Sequence, residues 1–157
     1  MKPNIGIAEA NTQAVALELS KVLSDEYVLL TKTRNAHWNV EGADFFSVHK
    51  FYETQIEKID GFIDMVAERI RSLGHYAPAT LKLYLELTRL TEMRRENNDS
   101  HGHVRELLAD HETIIIKLRE NIHVFSKDFH DAGTGDFIIG LMEEHEKMAW
   151  LLRSNLE

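Results

Sequence analysis

No cysteine occurs among the 157 residues, so disulfide scaffolds, thiolate metal sites and cysteine nucleophiles are excluded. Proline is almost absent: Pro3 and Pro78 are the only two. The long proline-free stretches suit helix and are unusual for hairpin-rich β folds. Long apolar runs are missing as well. The longest, Met148–Leu152, falls far short of the ~20 residues of a membrane-spanning helix. Met1 to Val15 holds no apolar stretch of the secretory kind, so a cytoplasmic, membrane-free location is expected. Positive charge is in deficit, 18 lysines and arginines against 26 aspartates and glutamates, for a net charge of −8. Tight generic binding to nucleic acid draws on cations facing phosphates, and this balance argues against it. Neither a Gly-x-Ser-x-Gly elbow nor a glycine-rich phosphate loop is found, which leaves little support for nucleophilic or phosphate-binding chemistry.

What is present is helical periodicity, with 43% apolar residues, an ordinary share for one folded domain spanning 1–157. A first helix is expected over about 10–36, where Leu19, Leu23, Tyr27 and Leu30 share a face. A second runs from about Asp44 or Phe46 to Leu73. Its residues Tyr52, Ile56, Ile59, Ile63, Val66, Ile70 and Leu73 step by 4, 3, 4, 3, 4 and 3, a bundle-like seam. Gly74 followed by Pro78 stops it. A third helix is expected from about Asp99 to His130, burying Val104, Leu107, Leu108, His111, Ile115, Leu118, Ile122 and Phe125. Gly133 and Gly135 break the chain, and Thr134 is the expected cap of a fourth helix through Phe137, Leu141, Met148 and Leu152. Residues 75–98 are too many for a tight turn and are expected to run the length of a bundle. Leu81, Tyr84, Leu85 and Thr88 give that crossover a short helix. The expected fold is all-α, a ferritin-like four-helix bundle with one long crossover.

The second helix carries another pattern beside its seam. His49, Glu53, Glu57, Asp60, Asp64 and Glu68 step by 4, 4, 3, 4 and 4, which confines them to an arc of roughly 100°. A solvated polar face is one reading. Such faces usually alternate sign, whereas Glu53–Glu57, Asp60–Asp64 and Asp64–Glu68 are like-charged pairs four apart. An exposed like pair costs a few tenths of a kcal/mol. Partly buried at ~6 Å, with an effective dielectric near 20, it would cost about 3 kcal/mol. A bound cation would offset that cost, and oxygen ligands with imidazole suit iron, manganese or zinc better than calcium. His37 ends the first helix, and a short loop to an antiparallel neighbour would bring it near His49 and Glu53.

The residues His37-Trp38-Asn39-Val40-x-Gly42, then Phe46-x-x-His49, then Asp64-Met65-x-Ala67-Glu68-Arg69 closely resemble the Dps family of mini-ferritins. The resemblance is strong over about residues 30–74 and weaker to the end, where Trp150 and Asn155 fall in a familiar tail. It implies a homo-oligomeric shell of twelve subunits, with iron-oxidising sites at two-fold interfaces. By that resemblance His37, His49 and Glu53 would bind iron from one subunit and Asp64 and Glu68 from its partner, with Trp38 beside the site. An isologous contact explains how one helix supplies both halves. The implied activity is ferroxidase: Fe(II) is oxidised, preferentially by hydrogen peroxide, and Fe(III) mineral is stored in the cavity. The family more often has aspartate where this chain has Glu53, whose extra methylene reaches further. Glu57 and Asp60 are expected to face solvent rather than guide iron.

Other residues carry weaker signals. Glu143, Glu144 and Glu146 surround His145 and read as a solvated face, although the resemblance places Glu146 near acidic iron-entry pores. Glu120-x-x-His123 has the spacing of intrabundle di-iron sites but occurs once. His101 and His103 are expected at the surface or in capping roles, and Trp150 is expected to pack. Some relatives coat DNA through a lysine-rich terminus. Met1–Glu9 has one lysine and the chain ends Ser154-Asn155-Leu156-Glu157, so DNA protection is expected to be indirect. Two readings stay open. One is a hemerythrin-like intrabundle binder, suggested by His49-x-x-x-Glu53 and His123-x-x-x-x-Asp128 but lacking His-x-x-x-His. The other is a non-catalytic helical interaction protein.

Overall fold

In the computed structural model residues 3–92 and 94–156 are described. Five α-helices follow in order: α1 Glu9–Asn39, α2 Phe45–Ser72, α3 Leu81–Leu87, α4 Ser100–His123 and α5 Ala132–Arg153, with a π-helical turn, Val124–Asp128, continuing α4. No strand occurs among the described residues, only an isolated bridge between Glu41 and Asp99.

Contacts at the helix ends give the topology. Glu41, just past α1, donates its N–H to the carbonyl of Asn98, just before α4 (2.9 Å). At the other end Asn11 donates to the carbonyl of Phe129 (3.1 Å), and the Thr12 hydroxyl meets His75 Nε2 (3.0 Å). Helices α1 and α2 are therefore antiparallel, and so are α4 and α5. Helices α2 and α4 run the same way, which only a crossover along the bundle permits. That is the ferritin-like connection expected from the length of 75–98.

Local chemistry sets each boundary. Helix α2 closes with a Schellman motif: His75 N–H bonds the Ile70 carbonyl (3.3 Å) and Gly74 N–H that of Arg71 (3.0 Å). Gly74 sits at φ +92°, a conformation that favours glycine. Thr80 caps α3 and Asp99 caps α4, each side chain accepting an N–H from the first turn. Helix α5 is capped by Asp131 and not by Thr134, because α5 starts earlier than the glycines suggest. The Asp131 carboxylate accepts the Thr134 N–H (2.9 Å) and hydroxyl (2.5 Å) and pairs with Arg69 of α2 (3.2 Å). Gly133 and Gly135 lie inside the first turns of α5. A Cβ on Gly135 would stand 2.1 Å from the Ser126 hydroxyl, so glycine lets α5 press against the π-helical turn. In that turn Phe129 N–H reaches back to the Val124 carbonyl (3.0 Å). The expected third helix thus ends its α geometry at His123.

The core runs the full length of the bundle. The seam of α2 is buried at Tyr52, Ile59, Ile63, Val66, Ile70 and Leu73, and Ile56 is partly buried against it. Facing it are Leu19, Leu23 and Leu29 of α1, Ile114 and Leu118 of α4, and Ile138, Met148 and Leu152 of α5. Each such side chain contributes ~1.5–3 kcal/mol relative to exposure. Tyr27 stacks on Tyr84 of α3 at 4.0 Å, and this seats the crossover helix on α1. The crossover is also fastened by Asp25, which is fully buried. Its carboxylate accepts from the Arg89 backbone N–H (2.6 Å), Arg89 Nε (2.8 Å) and Nη2 (2.5 Å), and the Thr88 hydroxyl (2.9 Å).

Candidate metal centre

The corner between α1 and α2 is short, so the last turn of one helix faces the first turn of the other. Across it His37 and His49 form a reciprocal clasp. His37 Nδ1 donates to the His49 backbone carbonyl (3.0 Å), and His49 Nδ1 donates to the His37 carbonyl (2.8 Å). Carbonyl acceptors put the hydrogen of each neutral ring on Nδ1 and leave the lone pair on Nε2. Metal-binding histidines are commonly oriented in this way. The rings stack with centroids 3.9 Å apart and planes at 18°. Phe45 packs on His49 at 5.1 Å. Both imidazoles are half-buried.

Glu53 lies one turn beyond His49. Lys50 Nζ holds its carboxylate at 2.7 Å. The Lys50 ammonium holds the Glu53 carboxyl below the usual carboxylate range, and the nearby His37 and His49 add to this. Asp64 and Glu68 are exposed further along the helix, as are Glu57 and Asp60. No ion pair involves these four among the described residues. At 1.5 Å rise per residue, Asp64 lies ~16 Å along the helix from Glu53 and ~22 Å from His49. One chain therefore cannot bring all five expected ligands to one ion. Consistently, no three histidine or carboxylate groups converge as a metal site among the described residues.

The surroundings of the clasp are apolar and exposed. Trp38 is 70% exposed and Phe46 73%, and further along α2 Met65, next to Asp64, is 51% exposed. Exposed apolar side chains of this size beside the clasp mark an interaction surface.

Several expectations change. His145, read as part of a solvated face, is fully buried, while Glu143 and Glu146 beside it are exposed. The missed signal is that His145 steps 4, 3 and 4 with Leu141, Met148 and Leu152, which places it on the apolar seam. His103, expected at the surface, is buried because it shares the inward arc of α4 with Val104 and Leu107, and its Nε2 finds no partner. Glu26 on α1 carried no signal of its own, yet it is fully buried against His145. Trp150 is 58% exposed in the chain. Glu146 pairs with Arg119, and Glu144 with Lys58. His49 opens α2 and His123 closes α4, so the hemerythrin-like fragments lie at opposite ends of the bundle and form no common site.

Comparison with known proteins agrees with the fold. A ferritin-like domain model matches residues 16–157. A low temperature-induced protein of Nostoc sp. is 42% identical over 98% of this chain and 86% of its own length. DNA protection during starvation protein 2 of Bacillus anthracis is 34% identical over 93% of this chain and 98% of its own. The structure of Dps from Mycobacterium smegmatis superposes with a TM-score of 0.91 at 29% identity, covering 98% and 92% of the two chains. With its up-down-down-up bundle, its crossover helix and this sequence similarity along nearly its whole length, the chain belongs to the Dps mini-ferritin family of ferritin-like proteins.

Proposed function

We propose that this protein is a ferroxidase and iron store whose reaction sites form between two copies of the chain. The carrying observation is the His37–His49 clasp, with two imidazoles fixed through Nδ1 and both Nε2 atoms left for an ion. Glu53 supplies an oxygen donor once Lys50 releases it. Asp64 and Glu68 of a second copy complete the set, since their own chain holds them too far away. The exposed Trp38 and Phe46 at this corner, and Met65 beside Asp64, support burial of both half-sites by a partner. A closed shell of twelve such chains in the cytoplasm is the assembly that the family membership favours.

Two imidazoles and three carboxylates suit Fe(II), which enters as substrate. Oxidation of two ions by peroxide, 2 Fe(II) + H2O2 + 2 H+ → 2 Fe(III) + 2 H2O, uses both oxidising equivalents and releases no hydroxyl radical. The chain's own part is to hold the ions and to favour the product. Carboxylates stabilise Fe(III) more than Fe(II) because the attraction scales with charge. Lys50 is the local cation that leaves as iron arrives. Protection of DNA follows from consuming iron and peroxide rather than from coating. A net charge of −8 per chain supports this, because it repels phosphate.

The test is an anaerobic Fe(II) titration followed by stoichiometric peroxide, with the double variant His37→Ala, Asp64→Ala alongside. The wild type should bind about one to two Fe(II) per chain and consume about one peroxide per two Fe(II), as the two-electron balance requires. Equal behaviour of the two proteins would remove the clasp from the reaction.

A further inference from the structure

Inside the bundle, far from the corner, three titratable side chains form a closed line. Glu26 of α1 and His145 of α5 are fully buried, and His111 of α4 is 1% exposed. His145 Nε2 contacts Glu26 Oε1 at 2.7 Å, and His145 Nδ1 faces His111 Nδ1 at 2.9 Å. The ring of Phe62 from α2 covers His145 at 5.3 Å. Glu26 Oε2 is buried with no partner. Nothing in the proposed iron chemistry uses these groups.

The geometry limits how many protons the two rings can hold. The Nε2–Oε1 contact needs one hydrogen between donor and acceptor. The Nδ1–Nδ1 contact also needs one, because two lone pairs or two N–H groups would repel at 2.9 Å. With Glu26 ionised, two ring hydrogens satisfy both contacts and leave a net charge of −1. A third hydrogen, making either imidazole cationic, gives a neutral line with both contacts intact. A fourth hydrogen on the two rings would set N–H against N–H at Nδ1 and break the line. An unfolded chain faces no such limit, and below about pH 6.5 its two imidazoles both ionise freely.

We propose that the Glu26–His145–His111 line is an acid-sensitive lock that holds α1, α4 and α5 together and opens when a fourth proton is forced on its two rings. Burial, and then the neighbouring His145, drive the His111 imidazole well below its ordinary range. A base whose folded value is lowered contributes stability that is present above its unfolded value. That stability is lost as pH falls below about 6.5.

Charged groups near the line are already engaged. On α1, Asp25 is held by Arg89 from the crossover. On α4, Asp110 is held by Lys32 of α1, which also pairs with Glu106. On α5, Glu144 feels His145 but is bound to Lys58 of α2. From α2 the line meets Phe62, which brings no charge. None of these neighbouring groups is a free counter-charge for a fourth proton on the rings.

The test uses the assembled full-length protein at fixed concentration, with denaturant unfolding followed from pH 7.5 to 5. The comparison is His111→Gln, whose amide can still bond His145 Nδ1 but cannot ionise. The wild-type folding constant should fall about tenfold more per pH unit than the variant's below pH 6.5, one extra proton taken up on unfolding. Parallel slopes would overturn the proposal. Histidine 15N resonances of the wild-type protein give a reading that does not depend on the variant folding. Within the folded state the His111 and His145 signals should report at most one cationic ring, and both rings becoming cationic before unfolding begins would overturn the lock.

Discussion

The molecule contains two histidine pairs built on opposite principles. At the α1–α2 corner, His37 and His49 each spend Nδ1 on the other's backbone carbonyl. Their Nε2 atoms are left free, with the Glu53 carboxylate one turn away. In the interior, His111 and His145 spend Nδ1 on each other, and Glu26 closes the far side of His145. The first pair is satisfied by backbone and remains open to a ligand. The second is satisfied by side chains and closed to solvent. Imidazole identity is the same in both, so the difference in role comes from which acceptor the fold offers and from burial.

That contrast predicts opposite outcomes for similar substitutions. The largest effect on stability should come from His145→Ala, which strands the buried Glu26 carboxylate. Breaking a buried pair from one side costs about 3–5 kcal/mol, read as a shift in the denaturant midpoint, while any folded fraction keeps its Fe(II) binding. His37→Ala should do the reverse. Fe(II) affinity should fall by about 100-fold by calorimetry, at the upper end of losses seen for groups that orient ligands, with only about 1 kcal/mol of stability lost with its clasp hydrogen bonds. If His37→Ala unfolds the bundle instead, the corner is structural and the contrast fails. A smaller effect is expected for Lys50→Ala. Removing the ammonium that occupies Glu53 should strengthen Fe(II) binding at pH 7 by a factor of about 2–5, the size of an exposed pair worth under 1 kcal/mol. Smallest of all is Lys58→Ala, which breaks an exposed pair with Glu144. It should change stability by no more than about 0.5 kcal/mol and leave iron binding alone.

The fold was largely legible in the sequence because its signals are periodic. The seam from Tyr52 to Leu73 is buried as its spacing demands, and the length of 75–98 matches a crossover along the bundle. The boundaries were less legible where side chains outside the helix decide them. Asp131 caps α5 because Arg69 and Thr134 meet its carboxylate there, a contact between distant segments. The corner histidines were found because a short loop must bring His37 to His49. The interior line was missed because its members lie on three helices. Each is a lone polar residue on an apolar seam, and flanking glutamates made the stretch around His145 look solvated. The assignment of Asp64 and Glu68 to a partner came from the resemblance alone, and a single chain, which holds them far from the clasp, does not display it.

The most direct test of a shared site is complementation. His37→Ala chains and Asp64→Ala chains would each be assembled alone and then co-assembled in equal amounts, and peroxide-driven Fe(II) oxidation would be measured in all three. A site formed across a two-fold contact predicts two inactive parents and a mixture that regains about a quarter of wild-type sites, since half the pairs are mixed and each mixed pair holds one intact site of two. A mixture as inactive as its parents would mean that each chain builds its site alone, and would contradict the account.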